Sequence, residues 1–94
     1  MSKVLDFKAP WCGPCRAYGP VFEMVSKNPE FKDITFESID VDENEETAEK
    51  YNIRNIPTTI LVNDAGQEVA RRLGYITEND LTNLVKESLC DMGI

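Results

Sequence analysis

The sequence predicts an α/β fold, a four-stranded mixed β-sheet with helices on both faces, and three observations carry that prediction. Short apolar runs alternate with helical stretches in the order β-α-β-α-β-β-α. The first strand, helix and second strand have the makings of a right-handed parallel βαβ unit. The third and fourth strands are separated by Asn63-Asp64-Ala65-Gly66, which has the turn chemistry of a hairpin.

Lys3 to Phe7 is an apolar run interrupted by Asp6, the pattern of a strand buried on both faces. Lys8 to Trp11 carries the chain over the sheet end. A helix is predicted from about Cys12 to Lys27, with Ala17, Val21, Met24 and Val25 as its buried stripe. Pro20 falls inside it and should produce a kink, and Asn28-Pro29 should end it. Ile34 to Asp40 reads as the second strand. The charges from Asp42 to Asn44 read most simply as a solvated face, ahead of a short helix from about Glu45 to Tyr51 that Asn44 is expected to cap. Asn52 to Pro57 is a loop into the strand Thr58 to Val62, and Gln67 to Leu73 returns as the fourth strand. Thr77-x-x-Asp80 has a capping-box pattern for a last helix from about Glu78 to Cys90, with Leu81, Leu84, Val85 and Met92 on one side.

At 94 residues the chain is expected to form one domain, residues 1–94, around one core. Its 41% hydrophobic and 29% charged content is that of an ordinary globular protein. A net charge of -7 argues against nucleic acid and anionic membranes, which are bound through dense Lys and Arg. No apolar run approaches the roughly 18 residues of a membrane span. Met1-Ser2-Lys3 passes almost directly into a strand, which leaves no room for a signal peptide. The expectation is a cytoplasmic monomer.

The chemistry is concentrated in Trp11-Cys12-Gly13-Pro14-Cys15, where the first strand gives way to the helix. Cys15 lies three residues beyond Cys12, one turn along the same face, so the sulfurs can reach disulfide distance without backbone movement. Pro14 is tolerated because a first-turn N–H has no intrahelical acceptor. Gly13 offers no side chain to obstruct a partner sulfur approaching Cys12. In a reducing compartment such a pair is more often catalytic than structural. A structural zinc would need four N or S ligands, and the chain has no His and one further cysteine, Cys90. Cys90 lies opposite Leu81 on a helical wheel and is expected to be an exposed or frayed thiol outside the site.

With this motif, Asp6-Phe7 ahead of it, Pro20 in the helix, Ile53-Arg54-Asn55-Ile56-Pro57-Thr58 before the third strand and Gly74 after the fourth, the chain resembles thioredoxin over essentially its whole length. The resemblance implies a minimal thioredoxin-like fold, a short form lacking the usual N-terminal strand and helix. The strand at Ile34 to Asp40 would then be an exposed edge guarded by Asp33, Glu37 and Asp40, with lower stability as the consequence. Ser38 stands where many thioredoxins carry a lysine near the buried aspartate.

The resemblance implies a catalytic set of Cys12, Cys15 and Asp6. Cys12 would be the nucleophile and Cys15 the resolving thiol. An aspartate near a strand end is by itself more often solvated or capping. The resemblance instead implies that Asp6 is a desolvated proton acceptor with a raised pKa, serving Cys15, if need be through a water. Pro57 resembles the cis-proline that faces the thioredoxin active site, with the Ile56 backbone pairing an extended substrate by β-augmentation. Trp11, Gly13, Pro14, Ile56, Pro57 and Gly74, joined by Tyr75, would bind substrate.

The implied activity is protein-disulfide reduction through a mixed disulfide, with no bound cofactor. Electrons would come from NADPH through a separate thioredoxin reductase. A glutaredoxin-like protein recharged by glutathione is the alternative enzyme, against which Gly-Pro between the cysteines speaks. Thiol oxidants and isomerases tend to place His before the second cysteine. Outside enzymes, the Trp11 and Pro57 surface could make the chain a redox-independent partner subunit.

Overall fold

The computed structural model describes residues 1–90. Seven elements follow the expected order: β1 (Lys3–Lys8), α1 (Gly13–Ser26), β2 (Thr35–Asp40), α2 (Glu45–Lys50), β3 (Thr58–Val62), β4 (Glu68–Leu73) and α3 (Glu78–Leu89). A 3-10 turn at Pro29–Phe31, which the sequence reading did not include, follows α1. The sheet order is β2-β1-β3-β4. β1 runs parallel to β2, from Lys3 opposite Thr35 to Lys8 opposite Asp40, and antiparallel to β3. The inner position of β3 accounts for the burial of all five of its residues.

Alternation along the inner strands divides the core in two. Val4 and Leu61 meet Tyr18, Phe22 and Val25 of α1 and Leu81, Leu84 and Val85 of α3. Leu5, Phe7, Ile60 and Val62 form the opposite face, covered by Tyr51 and Ile53 at the end of α2. Asp6 has the parity of Val4 and therefore lies on the α1 side of the sheet.

The buried stripe of α1 differs from the prediction. It consists of Cys15, Tyr18, Phe22 and Val25, while Ala17 and Met24 are exposed and Val21 is half-buried. The large aromatic rings bury more apolar surface than Ala17 or Met24 could, and the Tyr18 hydroxyl has a buried partner that removes the cost of taking it inside. Pro20 lies within α1 and leaves the Arg16 carbonyl without its usual donor four residues on. Asn28, expected only to end the helix, caps the 3-10 turn by accepting from the Glu30 amide at 2.9 Å. That turn delivers Phe31 to the core beside Phe36.

Other local expectations divide in the same way. Asn63 accepts from the amides of Ala65 and Gln67, and Gly66 takes φ +84°, which closes the β3–β4 hairpin. The Thr77 hydroxyl accepts from the Asp80 amide at 3.1 Å, as the capping pattern requires. Asn44 precedes α2, but its side chain makes no cap. Its amide group donates instead to the Asp40 carbonyl at 3.1 Å, bracing the turn out of β2. Cys90 is also corrected: it is half-buried and packs against the core, because the chain leaves helical geometry there at φ -111° and the wheel no longer applies. Burial, reinforced by Glu30 and opposed by Lys86, pushes its thiol pKa up. Met92, assigned to the apolar side of the last helix, lies outside the described residues.

β2 is an edge strand, as expected. Its exposed Glu37 lies 4.0 Å from the Lys3 ammonium, and charge of this kind discourages pairing with another chain.

Candidate functional site

β1 ends at Lys8, and four residues later Cys12 caps α1 in an extended conformation with φ -93° and ψ 114°. Its sulfur does what a capping oxygen usually does, accepting the Cys15 amide at 3.2 Å. Cys12 and Cys15 are disulfide-bonded, with Cα atoms 5.2 Å apart, within the range an unstrained backbone permits. On reduction the same amide and the positive end of α1 favour a thiolate on Cys12. Cys12 and Cys15 are almost equally buried, at 5% and 3% exposure, so accessibility alone does not separate their roles. Of the two, Cys12 is the one at the helix terminus.

Pro14 occupies the second helical position, where no donor is lost. A Cβ built at Gly13 would meet nothing within 4 Å, so this side of the disulfide is open. Facing it is the loop into β3. The Ile56–Pro57 peptide is cis, and the Ile56 carbonyl oxygen lies 3.8 Å from the Cys12 sulfur. The oxidised sulfur has no proton, whereas the reduced thiol can donate to that carbonyl. Among the described residues the Ile56 amide finds no backbone acceptor. The Pro57 carbonyl accepts from Gly74 at 2.7 Å, and Gly74 holds φ +84°, so the ends of β3 and β4 are tied at the site. Ile56 and Val41 pack against Ala9 and the two cysteines.

Trp11 is 68% exposed, yet its indole is oriented: Nε1 donates to the Asp42 carboxylate at 2.8 Å. Asp42 belongs to the charges expected on a solvated face. It is a site neighbour that only the pairing of β2 with β1 brings alongside, and no local pattern signals it. Tyr75 is half-exposed and sets its ring edge-on to Tyr18, with centroids 6.0 Å apart. It thus serves both the surface and the core.

Asp6 is 1% exposed and both carboxylate oxygens lack a hydrogen-bond partner among the described residues. Burial raises its pKa to about 6, with Lys8 pulling in the other direction. Ser38 is its partner across the β1–β2 pairing and Thr59 across β1–β3. Above Thr59 sits Tyr18, whose hydroxyl is 2.8 Å from the Thr59 hydroxyl. Burial pushes the Tyr18 phenol well above its usual range. Neither Tyr18 nor Thr59 was singled out from sequence. The signal was available for Tyr18, which lies three residues beyond Cys15 on the same helix face. Asp6 also forms part of the wall of a cleft of about 430 Å³ between β1, β2 and α1.

No group of three His, Cys, Asp or Glu among the described residues could hold a metal ion, and no described helix is long and apolar enough to cross a membrane. The site itself is a sulfur pair that can open and close at a helix terminus. This is the apparatus of a thiol-disulfide oxidoreductase.

Comparison with known proteins supports that class. The thioredoxin family model matches residues 1–87. The thioredoxin of Mycoplasmoides gallisepticum is 46% identical over 83 residues, 88% of this chain and 80% of that protein. That of Bacillus subtilis is 42% identical over 84 residues, 89% of this chain and 79% of that one. Among solved structures, Fasciola hepatica thioredoxin superposes with a TM-score of 0.83 at 39% identity, over 94% of this chain and 81% of that one. Malassezia sympodialis thioredoxin does so with a TM-score of 0.84 at 34% identity, over 93% and 74%. The chain belongs to the thioredoxin family. Its activity is thiol-disulfide exchange on protein disulfides, carried by the Cys12–Cys15 pair.

Proposed function

We propose that the chain, residues 1–94, acts as one domain that reduces protein disulfides in the cytoplasm, with Cys12 as nucleophile, Cys15 as resolving thiol and Asp6 as proton acceptor. The observation that carries the assignment is the Cys12 sulfur at the cap of α1, accepting the Cys15 amide at 3.2 Å. A thiolate there attacks one sulfur of the substrate disulfide, forming a Cys12–substrate bond and releasing the other substrate sulfur as a thiolate. Cys15 then loses its proton and attacks the Cys12 sulfur. The internal disulfide closes, the second substrate thiolate leaves, and two electrons have passed to the substrate.

Asp6 suits the second step, since a carboxyl that titrates near neutrality can take and return a proton there. Its oxygens bond to no sulfur among the described residues, which suits a transfer relayed by a water. Trp11, Gly13, Pro14, Ile56, Pro57 and Gly74 would receive the substrate, with the Ile56 amide and carbonyl pairing an extended segment. A separate thioredoxin reductase, drawing on NADPH, would restore the dithiol of this monomer.

Trapping tests the division of labour. Cys15→Ser should accumulate a covalent mixed disulfide with a protein substrate, because the intermediate forms and cannot resolve, while Cys12→Ser should form none. The reverse pattern would exchange the roles. Full biological activity in the Cys12→Ser, Cys15→Ser double variant would overturn the reductase reading.

A further inference from the structure

Asp6 is not alone in its cleft. Lys8 follows it by two residues on β1, so both side chains issue from the same face, and both line the same cleft. The other charged group on that wall is Glu23 of α1, whose carboxylate already has a cation, Lys27, at 3.6 Å. The remaining elements packed around Asp6 contribute neutral groups. β2 presents Ser38, β3 presents Thr59, and α1 presents the Tyr18 phenol held to Thr59. Lys8 is half-buried and is the cation of the cleft among the described residues.

We propose that Lys8 is the positioning residue of the Asp6 proton site, supplying the counter-charge that tunes proton exchange there, and that the shared cleft connects the carboxylate to solvent. Two features of the geometry carry this. A carboxylate 1% exposed with neither oxygen bonded has no local donor to stabilise its charge, so the field of a nearby cation dominates what compensation exists. The cleft has polar groups along its length, in Ser26, Glu23 and Ser38, so water can occupy it and relay a proton outward. The direction in which Lys8 moves the Asp6 titration agrees. The inference rests on Asp6 serving Cys15 as proton acceptor.

The test follows the Asp6 carboxyl carbon by NMR through a pH titration in the wild-type chain, Lys8→Met and Lys8→Arg, alongside the pH profile of the resolving step. Lys8→Met should move the Asp6 midpoint up by about one pH unit, and the rate profile should move with it. Lys8→Arg should restore both. A side chain that merely packs would change rate or stability without moving the midpoint, and an unmoved midpoint overturns the proposal. So does a moved midpoint with an unmoved rate profile. Asp6→Asn separates the two levels. A profile indifferent to Asp6→Asn removes Asp6 from the step and Lys8 with it, whereas one altered by Asp6→Asn and untouched by Lys8→Met removes Lys8 alone.

Discussion

The Trp11 indole nitrogen and the Asp42 carboxylate, 31 residues apart in sequence, lie 2.8 Å apart at the rim of the disulfide. The bond fixes the ring of a 68% exposed tryptophan beside Cys12, so part of the ordering that the proposed substrate docking would require is already present. Asp42→Ala should therefore act on docking more than on chemistry. The expected loss is about threefold to tenfold in kcat/KM for a protein substrate, the range set by about 1 kcal/mol for an exposed bond to a charged group. Trp11 fluorescence should change with it, and a small-molecule disulfide should be reduced at the wild-type rate.

Asp6 links the site to stability. Its folded-state pKa of about 6 lies above the ordinary 3.8, so between those values the folded chain binds more protons than the unfolded one. Stability is then greatest below about pH 4 for this group, and falls as pH rises through about 6. The full difference corresponds to about 3 kcal/mol. Urea unfolding at pH 4 and pH 8 should show a decline of that order in the wild type beyond the decline in Asp6→Asn. Parallel curves for the two proteins would mean that Asp6 is solvated.

Tyr18→Phe removes one half of a buried hydroxyl pair and leaves the Thr59 hydroxyl, on a fully buried residue, without its partner. A loss of about 1–3 kcal/mol is expected in denaturant unfolding. The double change Tyr18→Phe, Thr59→Val should recover part of it, since both polar groups are then gone.

Gly74 combines φ +84° with open space around any added Cβ. Gly74→Ala should cost about 1 kcal/mol in stability through backbone strain alone. A Cβ that clashes with nothing in the free protein can still collide with substrate, so any fall in kcat/KM at temperatures where the variant is fully folded reports a substrate passing over Gly74. An unchanged kcat/KM would place the substrate elsewhere.

Local patterns in the sequence were sufficient for the element order, the hairpin turn, the Thr77 cap and the cysteine pair, because each depends on residues a few positions apart. Cys12 and Cys15 needed only one helical turn. The errors occur where tertiary contacts decide. The α1 stripe turns toward Tyr18 and Phe22 because Thr59, across the sheet, takes the Tyr18 hydroxyl and Phe36 of β2 meets the Phe22 ring. Asn44 is a local exception, since its amide group goes to the Asp40 carbonyl four residues back instead of capping α2. Asp42 looked solvated because Trp11 meets it only once β2 lies beside β1. The burial of Asp6, by contrast, was legible from its apolar neighbours, although its lack of partners and its company with Lys8 were not.

Cys12 and Cys15 form a reversible dithiol-disulfide couple that reduces other proteins. The most direct test of this is the reduction potential of the pair, measured by equilibration against a dithiothreitol or glutathione buffer with Cys90→Ser to keep the third thiol out of the exchange. A value near about -270 mV, the figure typical of thioredoxin, is the predicted result. A value of about -200 mV or higher would rule out a thioredoxin-type reductase and indicate a glutathione-linked or oxidising role.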